Sequence, residues 1–338
     1  MTLPMVIQSV GPAEPPPRAA PRRYLLMPLR WWFRGRPVAV AQRTLLLLAT
    51  LAMLYFGLLG LLSHRIDNDP DFVAPVAVEG GSAAVAMAAG LVDREVNVHE
   101  WTVNDPLGPD AFLDNAMNFQ QGILRATAQV SFQFFDQIGR ARGSSSADPD
   151  LERATGLLQF PGDVWIFDFR KTWLPTVSSE AQYREAVRAL LAYDARVAAG
   201  QAVFERRADA LSVTLARVAA DLGSRTAMIE REYQRADVSF FDTRVDDVFY
   251  LNMGMVYAYS LMLEALGEDF AGVIEERGVS ALWAQAMQSL EYAGQLQPMI
   301  VMNGAGEDSI FANHLVLQGF YMKRAILQLE EIVRVLAV

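Results

Sequence analysis

TLLLLATLAMLYFGLLGLLS, residues 44–63, runs for twenty positions without a charged side chain. A helix rises about 1.5 Å per residue, so this stretch covers roughly 30 Å, the hydrocarbon thickness of a bilayer. It reads as one transmembrane helix, and it divides the chain. Residues 1–43 form an Arg/Pro-rich tail, 64–81 a link, and 82–338 a large domain beyond the membrane.

The charges on either side orient the helix. Upstream lie Arg18, Arg22, Arg23, Arg30, Arg34, Arg36 and Arg43 against one acid, Glu14. Downstream the chain passes through His64, Arg65, Asp67, Asp69 and Asp71. Basic residues near a membrane helix stay in the cytoplasm. The expectation is a bacterial inner-membrane protein with its N-terminus cytoplasmic and its C-terminal domain periplasmic. The segment Arg30–Trp31–Trp32–Phe33–Arg34 suits the headgroup layer, where indole rings and guanidinium groups settle. A cleaved signal peptide is the competing reading. Its apolar core is about 7–15 residues and ends on small residues, whereas Leu61 and Leu62 precede the possible cut after Ser63.

Beyond residue 43 the chain carries 22 basic and 38 acidic side chains, a net charge of −16. Such a domain repels nucleic-acid backbones, so nucleic acid is excluded as a partner. The chain has no cysteine, which removes disulfides, thiolate nucleophiles and Cys-ligated zinc.

The domain reads as helical almost throughout. GPAEPPPRAAP (11–21) in the tail reads as disordered, and residues 65–81 as an extended link with Pro70, Pro75 and the pair Gly80–Gly81. Ser82 is placed to cap a helix ending near Glu95. From Asp110 to Ile138, Phe112, Ala116, Phe119, Ile123, Ala126, Val130, Phe134 and Ile138 step by three or four, which puts them on one helical face. Asp148 and Pro149 open a short helix to Gln159. VWIFDF (164–169) is the one segment with strand character. Ser178 or Ser179 is expected to cap a long helix or helical hairpin, with Gly200 a possible break, and Phe204, Ala208, Leu211, Leu215, Val218 and Leu222 forming its packing seam. Further helices are expected from Asp242–Thr243 to Leu266 and over residues 280–296. The last has a seam of Leu315, Gly319, Met322, Ile326, Leu329, Val333 and Leu336. The predicted fold class is all-α: an N-terminal transmembrane helix followed by a bundle of five to seven helices.

Catalytic motifs are mostly broken. His99–Glu100 begins a zinc-hydrolase pattern, but Val103 stands where the second His belongs. Neither Lys171 nor Lys323 has a Ser three places before it, and Ser144–Ser145–Ser146 lacks the glycines of a nucleophile elbow. NGAGEDS (303–309) has half of a dinucleotide fingerprint without a strand before it. Asp242, Asp246 and Asp247 suit the positive end of a helix dipole rather than a calcium loop. The Glu205–Arg206–Arg207–Asp209 run reads as a solvated charge ladder or an interhelical bridge. No cofactor and no metal site is predicted. If a cleft is active, its candidates are Glu100 or Asp136 as general acid or base, with His99 or His314 assisting.

Several stretches resemble a known family. REVNVHEWTVNDP (94–106), LDNAMNFQQG (113–122), RARGSSSADPDL (140–151), WLPTVSSEAQYREA (173–186), VFERRADAL (203–211), DTRVDDVFY (242–250) and NHLVLQGFY (313–321) are similar to bacterial domain-of-unknown-function family 2333. The likeness extends over most of residues 44–338, and the family pattern has Asn where this chain has Asp209–Ala210. The resemblance implies a membrane-anchored envelope protein and transfers no catalytic residue.

Three functions compete. The first is a non-enzymatic scaffold or accessory protein whose periplasmic helices bind another envelope component. The second is an envelope hydrolase acting on cell-wall or lipid substrates. The third is a ligand sensor that signals through a partner, since the tail holds no output module. The sequence leaves the oligomeric state undefined.

Overall fold

A computed structural model describes residues 36–60, 66–75, 78–105, 108, 114–142, 148–167, 172–235, 243–298, 301 and 313–338. The chain divides into two compact units, one up to Tyr55 and one from Phe56. The first holds helix α1 (Pro37–Ala52), which starts on a proline where the missing N–H is harmless. A π-helical turn over Met53–Leu59 continues it. Pro37–Leu59 makes 23 residues, long and apolar enough to cross a membrane, with a mean hydropathy of 1.6 and no buried residue in its apolar window. Thr44 and Thr50 turn their hydroxyls back onto the carbonyls of Val40 (3.0 Å) and Leu46 (2.8 Å), so neither is left without a partner. The Arg/Trp belt at 30–34 lies outside the described residues.

The second unit is all-α. Its helices are α2 (Ala83–Asp93, extended by a π turn over Arg94–Val98), α3 (Asp114–Arg142), α4 (Pro149–Leu158), α5 (Ser179–Ala198), α6 (Ala208–Gln234), α7 (Thr243–Asp269), α8 (Ala271–Glu276), α9 (Ser280–Gly294) and α10 (His314–Leu336). Helix α7 is the axis. Phe249, Met253, Val256, Tyr257, Tyr259, Met262 and Leu263 are buried all round its circumference, as expected of a helix enclosed by others. Along it lie α3, α9 and α2; α4 and α5 pack together beside α2 and α3, and α10 packs against α6 and α9.

Nine α-helices follow α1 among the described residues, against five to seven expected. The segment expected as one long helix or a helical hairpin is two helices, α5 and α6, because Gly200 at φ +68° ends α5 in the left-handed region. The short α8 has too few residues to show a periodicity. No strand forms among the described residues, and residues 164–167, the described part of VWIFDF, are not one. Instead, Thr176 N–H donates to the Ile166 carbonyl (2.7 Å) and Ser179 N–H to the Val164 carbonyl (3.0 Å), closing a loop. Ser179 does not cap α5. Its hydroxyl is fully buried, donating to the Pro161 carbonyl (2.7 Å) and accepting from Val164 N–H (3.0 Å). Ser178 holds the cap position without a side-chain bond.

Two polar clamps lock the domain. At the start of α2, Ser82 Oγ accepts from Val85 N–H (3.2 Å) and donates to Asp269 (2.7 Å). Asp269 also accepts from the N–H groups of Ala83 (3.2 Å) and Ala84 (3.0 Å), and Asp194 accepts from Ser82 N–H (2.6 Å). Two carboxylates thus satisfy the free N–H groups of a buried helix end.

The second clamp holds residues 66–75. The Arg94 guanidinium, 5% exposed, donates to Glu95 (2.9 Å), to the Tyr257 hydroxyl (2.8 Å) and to the Asp67 carbonyl (3.1 Å), and lies 4.6 Å from the centre of the Phe72 ring. Burial opposes its charge, but Glu95 and Tyr257 outweigh that and keep it more basic than usual. Tyr257 donates to the Asp69 carbonyl (2.7 Å), and Asn68 to the Gly294 carbonyl (2.9 Å).

Candidate functional site

The four residues singled out as acid–base candidates fall at three places in the fold, His99 and Glu100 together and Asp136 and His314 each elsewhere. His99 follows the π turn of α2, with Nδ1 3.6 Å from Glu95 and Nε2 3.4 Å from Asp67. Glu100 sits beside it at φ 61°, and its carbonyl accepts from Gln120 Nε2 (2.8 Å). That amide also accepts from the N–H (3.1 Å) and hydroxyl (3.0 Å) of Thr102, so the segment is anchored to α3. Asp136 is half-buried on α3. His314 opens α10, where burial pushes its imidazole below the ordinary value. None of the four lines either cavity described below.

Among the other charged motifs, Arg206 does bridge helices, donating to the Gly81 carbonyl (2.6 Å) and pairing with Asp269 (3.3 Å). Asp247 accepts from Asn118 of α3 (2.7 Å). Among the described residues no group of three His or acidic side chains is set to hold a metal. Ser144–Ser146 and residues 303–309 lie outside the described residues.

The larger of the two cavities opens where α3, α6 and the chain leaving α4 meet. Its volume is about 800 Å³, within the roughly 300–1,000 Å³ typical of small-molecule sites. Helix α3 supplies Gln121, Leu124, Arg125, Ala128, Gln129 and Phe132. The four-residue step between Gln121, Arg125 and Gln129 sets one polar row along the helix. Helix α6 supplies a second row at the same step, Arg217, Asp221 and Arg225. Leu158, Gln159, Phe160, Pro161 and Gly162 close one side, and Met255 of α7 lies among them.

The electrostatics of this cavity are unusual for so acidic a domain. Arg225 is 7% exposed, and among the described residues it pairs with no carboxylate. Its Nε donates to Asn252 Oδ1 (2.7 Å) and its Nη1 to the Met228 sulfur (2.9 Å), while Nη2 is shielded from solvent and makes no hydrogen bond. Burial, with Arg125 adding like-charge repulsion, lowers its pKa to about 10, against a small opposing pull from Asp221. It therefore stays charged at neutral pH. Gln129 Nε2 and Asn252 Nδ2 are also buried without partners. The orphaned atoms on Gln129, Arg225 and Asn252 are thus all donors, and buried donors are costly to leave unmet. The one acid in the lining, Asp221, accepts the Tyr259 hydroxyl at 2.5 Å. That contact and the burial hold the phenol well above its usual range.

The smaller cavity, about 400 Å³, lies between residues 70–74, α2 and α7. Its charged lining is acidic: Asp71, Glu264 and Glu268. Burial and these like charges, with Glu291, push the Glu264 carboxyl up.

Compared with known protein families, the chain matches the profile of the uncharacterised proteins conserved in bacteria, DUF2333, over residues 75–242 and 228–337. The chain belongs to this family. No curated protein and no solved structure matches it. The DUF2333 match starts at residue 75, so α1 lies outside it, whereas the resemblance in the sequence was expected to begin at residue 44. Every residue lining the larger cavity falls inside the DUF2333 match. Sequence reasoning missed this site. The two rows Gln121–Arg125–Gln129 and Arg217–Asp221–Arg225 are visible as i, i+4 steps, but such rows are usually solvated faces.

Proposed function

We propose that this DUF2333 protein is a membrane-anchored binding protein that holds a component of the bacterial envelope rather than transforming it. The observation that carries the reading is the α3–α6 cavity, whose lining includes a buried arginine, Arg225, and an amide, Gln129, each with a donor that meets no acceptor. Among the described residues its lining holds neither histidine nor any hydroxyl side chain, and its one carboxylate is engaged by Tyr259. Those properties suit retention of a ligand over acid–base turnover. Helix Pro37–Leu59 supports attachment to a membrane. The seven arginines before residue 44 support a cytoplasmic N-terminus in the inner membrane, with the helical domain in the periplasm.

The test is a comparison of full-length wild type with Ala128→Trp, purified in detergent and analysed by mass spectrometry for co-purifying small molecules. Ala128 lines the cavity, and an indole there occupies part of it and obstructs it. Wild type is expected to retain a species that the variant, melting like wild type, has lost. Identical co-purifying sets overturn the reading.

A further inference from the structure

We propose that the α3–α6 cavity is a phosphate-recognition site, in which Arg125, Arg217, Arg225 and Gln129 bind the phosphate monoester of an amphiphile whose apolar part lies on Leu124, Phe132, Leu158 and Phe160. The inference rests on the reading of this cavity as the protein's binding site and adds the chemical class of its ligand.

The charge count selects phosphate. Three arginines and one aspartate line the cavity, which gives it a net charge of +2. Arg125, Arg217 and Arg225 have no ion-pair partner among the described residues, so the excess is not cancelled nearby. A phosphate monoester carries about −1.5 to −2 charges at pH 7. A single carboxylate brings one charge and leaves the cavity cationic. Guanidinium groups favour phosphate oxygens through paired, charge-assisted hydrogen bonds. Arg225 is buried and makes no ion pair among the described residues, so its charge is left for a bound anion to offset. The rest of the lining decides the remainder of the ligand. Leu124, Phe132, Leu158 and Phe160 offer an apolar wall beside the arginines, which suits an alkyl or acyl chain better than a sugar. Such a compound can reach the site as the headgroup of a bilayer lipid or as a free phosphate ester.

The test uses full-length protein in phosphatidylcholine nanodiscs and isothermal titration calorimetry with octyl phosphate, octanoate and inorganic phosphate. Octyl phosphate is expected to bind at least tenfold more tightly than octanoate, and more tightly than inorganic phosphate. Its affinity should rise with pH through about 6, where the second phosphate proton leaves; that of octanoate should not. Arg225→Gln and Arg217→Gln are each expected to weaken octyl phosphate at least tenfold. Arg217 is exposed, so its variant remains informative if the loss of Arg225 impairs folding. A further arm uses nanodiscs containing phosphatidic acid. Weakened octyl phosphate binding there assigns the lipid headgroup as source, and unchanged binding assigns a free ester; each upholds the phosphate class. Equal affinity for octanoate, or normal octyl phosphate binding by both arginine variants, overturns the inference. Ala128→Trp separates the two failures. If it abolishes binding of phosphate and carboxylate alike without preference between them, the cavity stands and the phosphate class falls. If it changes nothing, the binding site itself is wrong.

Discussion

A Cβ on Gly254 would stand 2.0 Å from the Phe119 carbonyl oxygen, and one on Gly122 2.3 Å from that of Leu251. Helices α3 and α7 therefore cross with backbone against backbone, and no side chain fits between them. Gly254→Ala must push the central helices apart. Overpacking of this kind costs about 1–3 kcal/mol and occasionally more, and each kcal/mol moves the melting point of a domain this size by roughly 2–4 °C. A calorimetric melt of the variant is expected to fall by several degrees, while Gly156→Ala, where nothing lies within 4 Å, should not fall. The same scale governs Asp194. It is fully buried, and its Oδ2 has no partner. Burial, followed by repulsion from Asp269, raises its carboxyl above the usual aspartate value despite the Ser82 N–H and Arg206. At a pH between the ordinary aspartate value and the raised one, the folded protein holds a proton that the unfolded chain releases. This residue's contribution to stability is present at low pH and is lost as the pH climbs from the ordinary aspartate range through the raised value. Asp194→Asn should flatten that part of the melting point's pH profile, and an unchanged slope would count against the assignment.

At the scale of single helices, patterns confined to one segment were legible and those shared between segments were not. On α3, Ala116, Phe119, Ile123, Ala126, Val130 and Phe134 are all buried, as their spacing required. Asp148 caps α4, accepting from Asp150 (3.1 Å) and Leu151 (3.2 Å), and Ser82 caps α2. On α10 only one row of the expected seam is right. Leu315, Met322, Leu329 and Leu336 are buried, but the second buried row is Gln318, Ala325 and Ile332 rather than Gly319, Ile326 and Val333. The helix lies between α6 and α9, so its covered face is rotated relative to the face that hydropathy alone selects. Gln318 enters the core because its amide donates to the Phe249 carbonyl (3.1 Å), a partner no local pattern reveals. Leu329→Ala should therefore cost about 2–5 kcal/mol, the range for emptying a packed leucine site. Ile326→Ala, at a half-buried position, should cost clearly less in the same denaturant titration. Equal losses would return the seam to its expected rows. The cavity was illegible for the same reason as Gln318: its cationic character exists only once α3, α6 and residues 158–162 are brought together.

Over the whole molecule, charge is distributed with a strong polarity. The chain carries −10 in total, yet the tail before residue 44 is basic and everything beyond it is acidic. An acidic surface weakens the domain's attraction to extended polyanions, while the cavity in its side is locally cationic. A ligand that meets the site must therefore be small enough for local arginines to outweigh the distant acids, because charges beyond about 8 Å are largely screened at physiological salt. That selectivity makes sense only if the domain faces the compartment that holds the ligand. For the proposed periplasmic placement, alkaline phosphatase fused after Val338 should be active and the same enzyme fused before Met1 inactive. Trypsin added to spheroplasts should cut the domain, since Arg188 and Arg207 each have 70% of their side chains exposed. The intact mass of the membrane-bound protein should still include residues 1–63, as an uncleaved anchor demands. A domain that resists trypsin until the inner membrane is ruptured would reverse the orientation. The arginine-lined cavity would then face cytoplasmic phosphate esters, and its lipid and soluble sources would have to be compared on that side of the membrane.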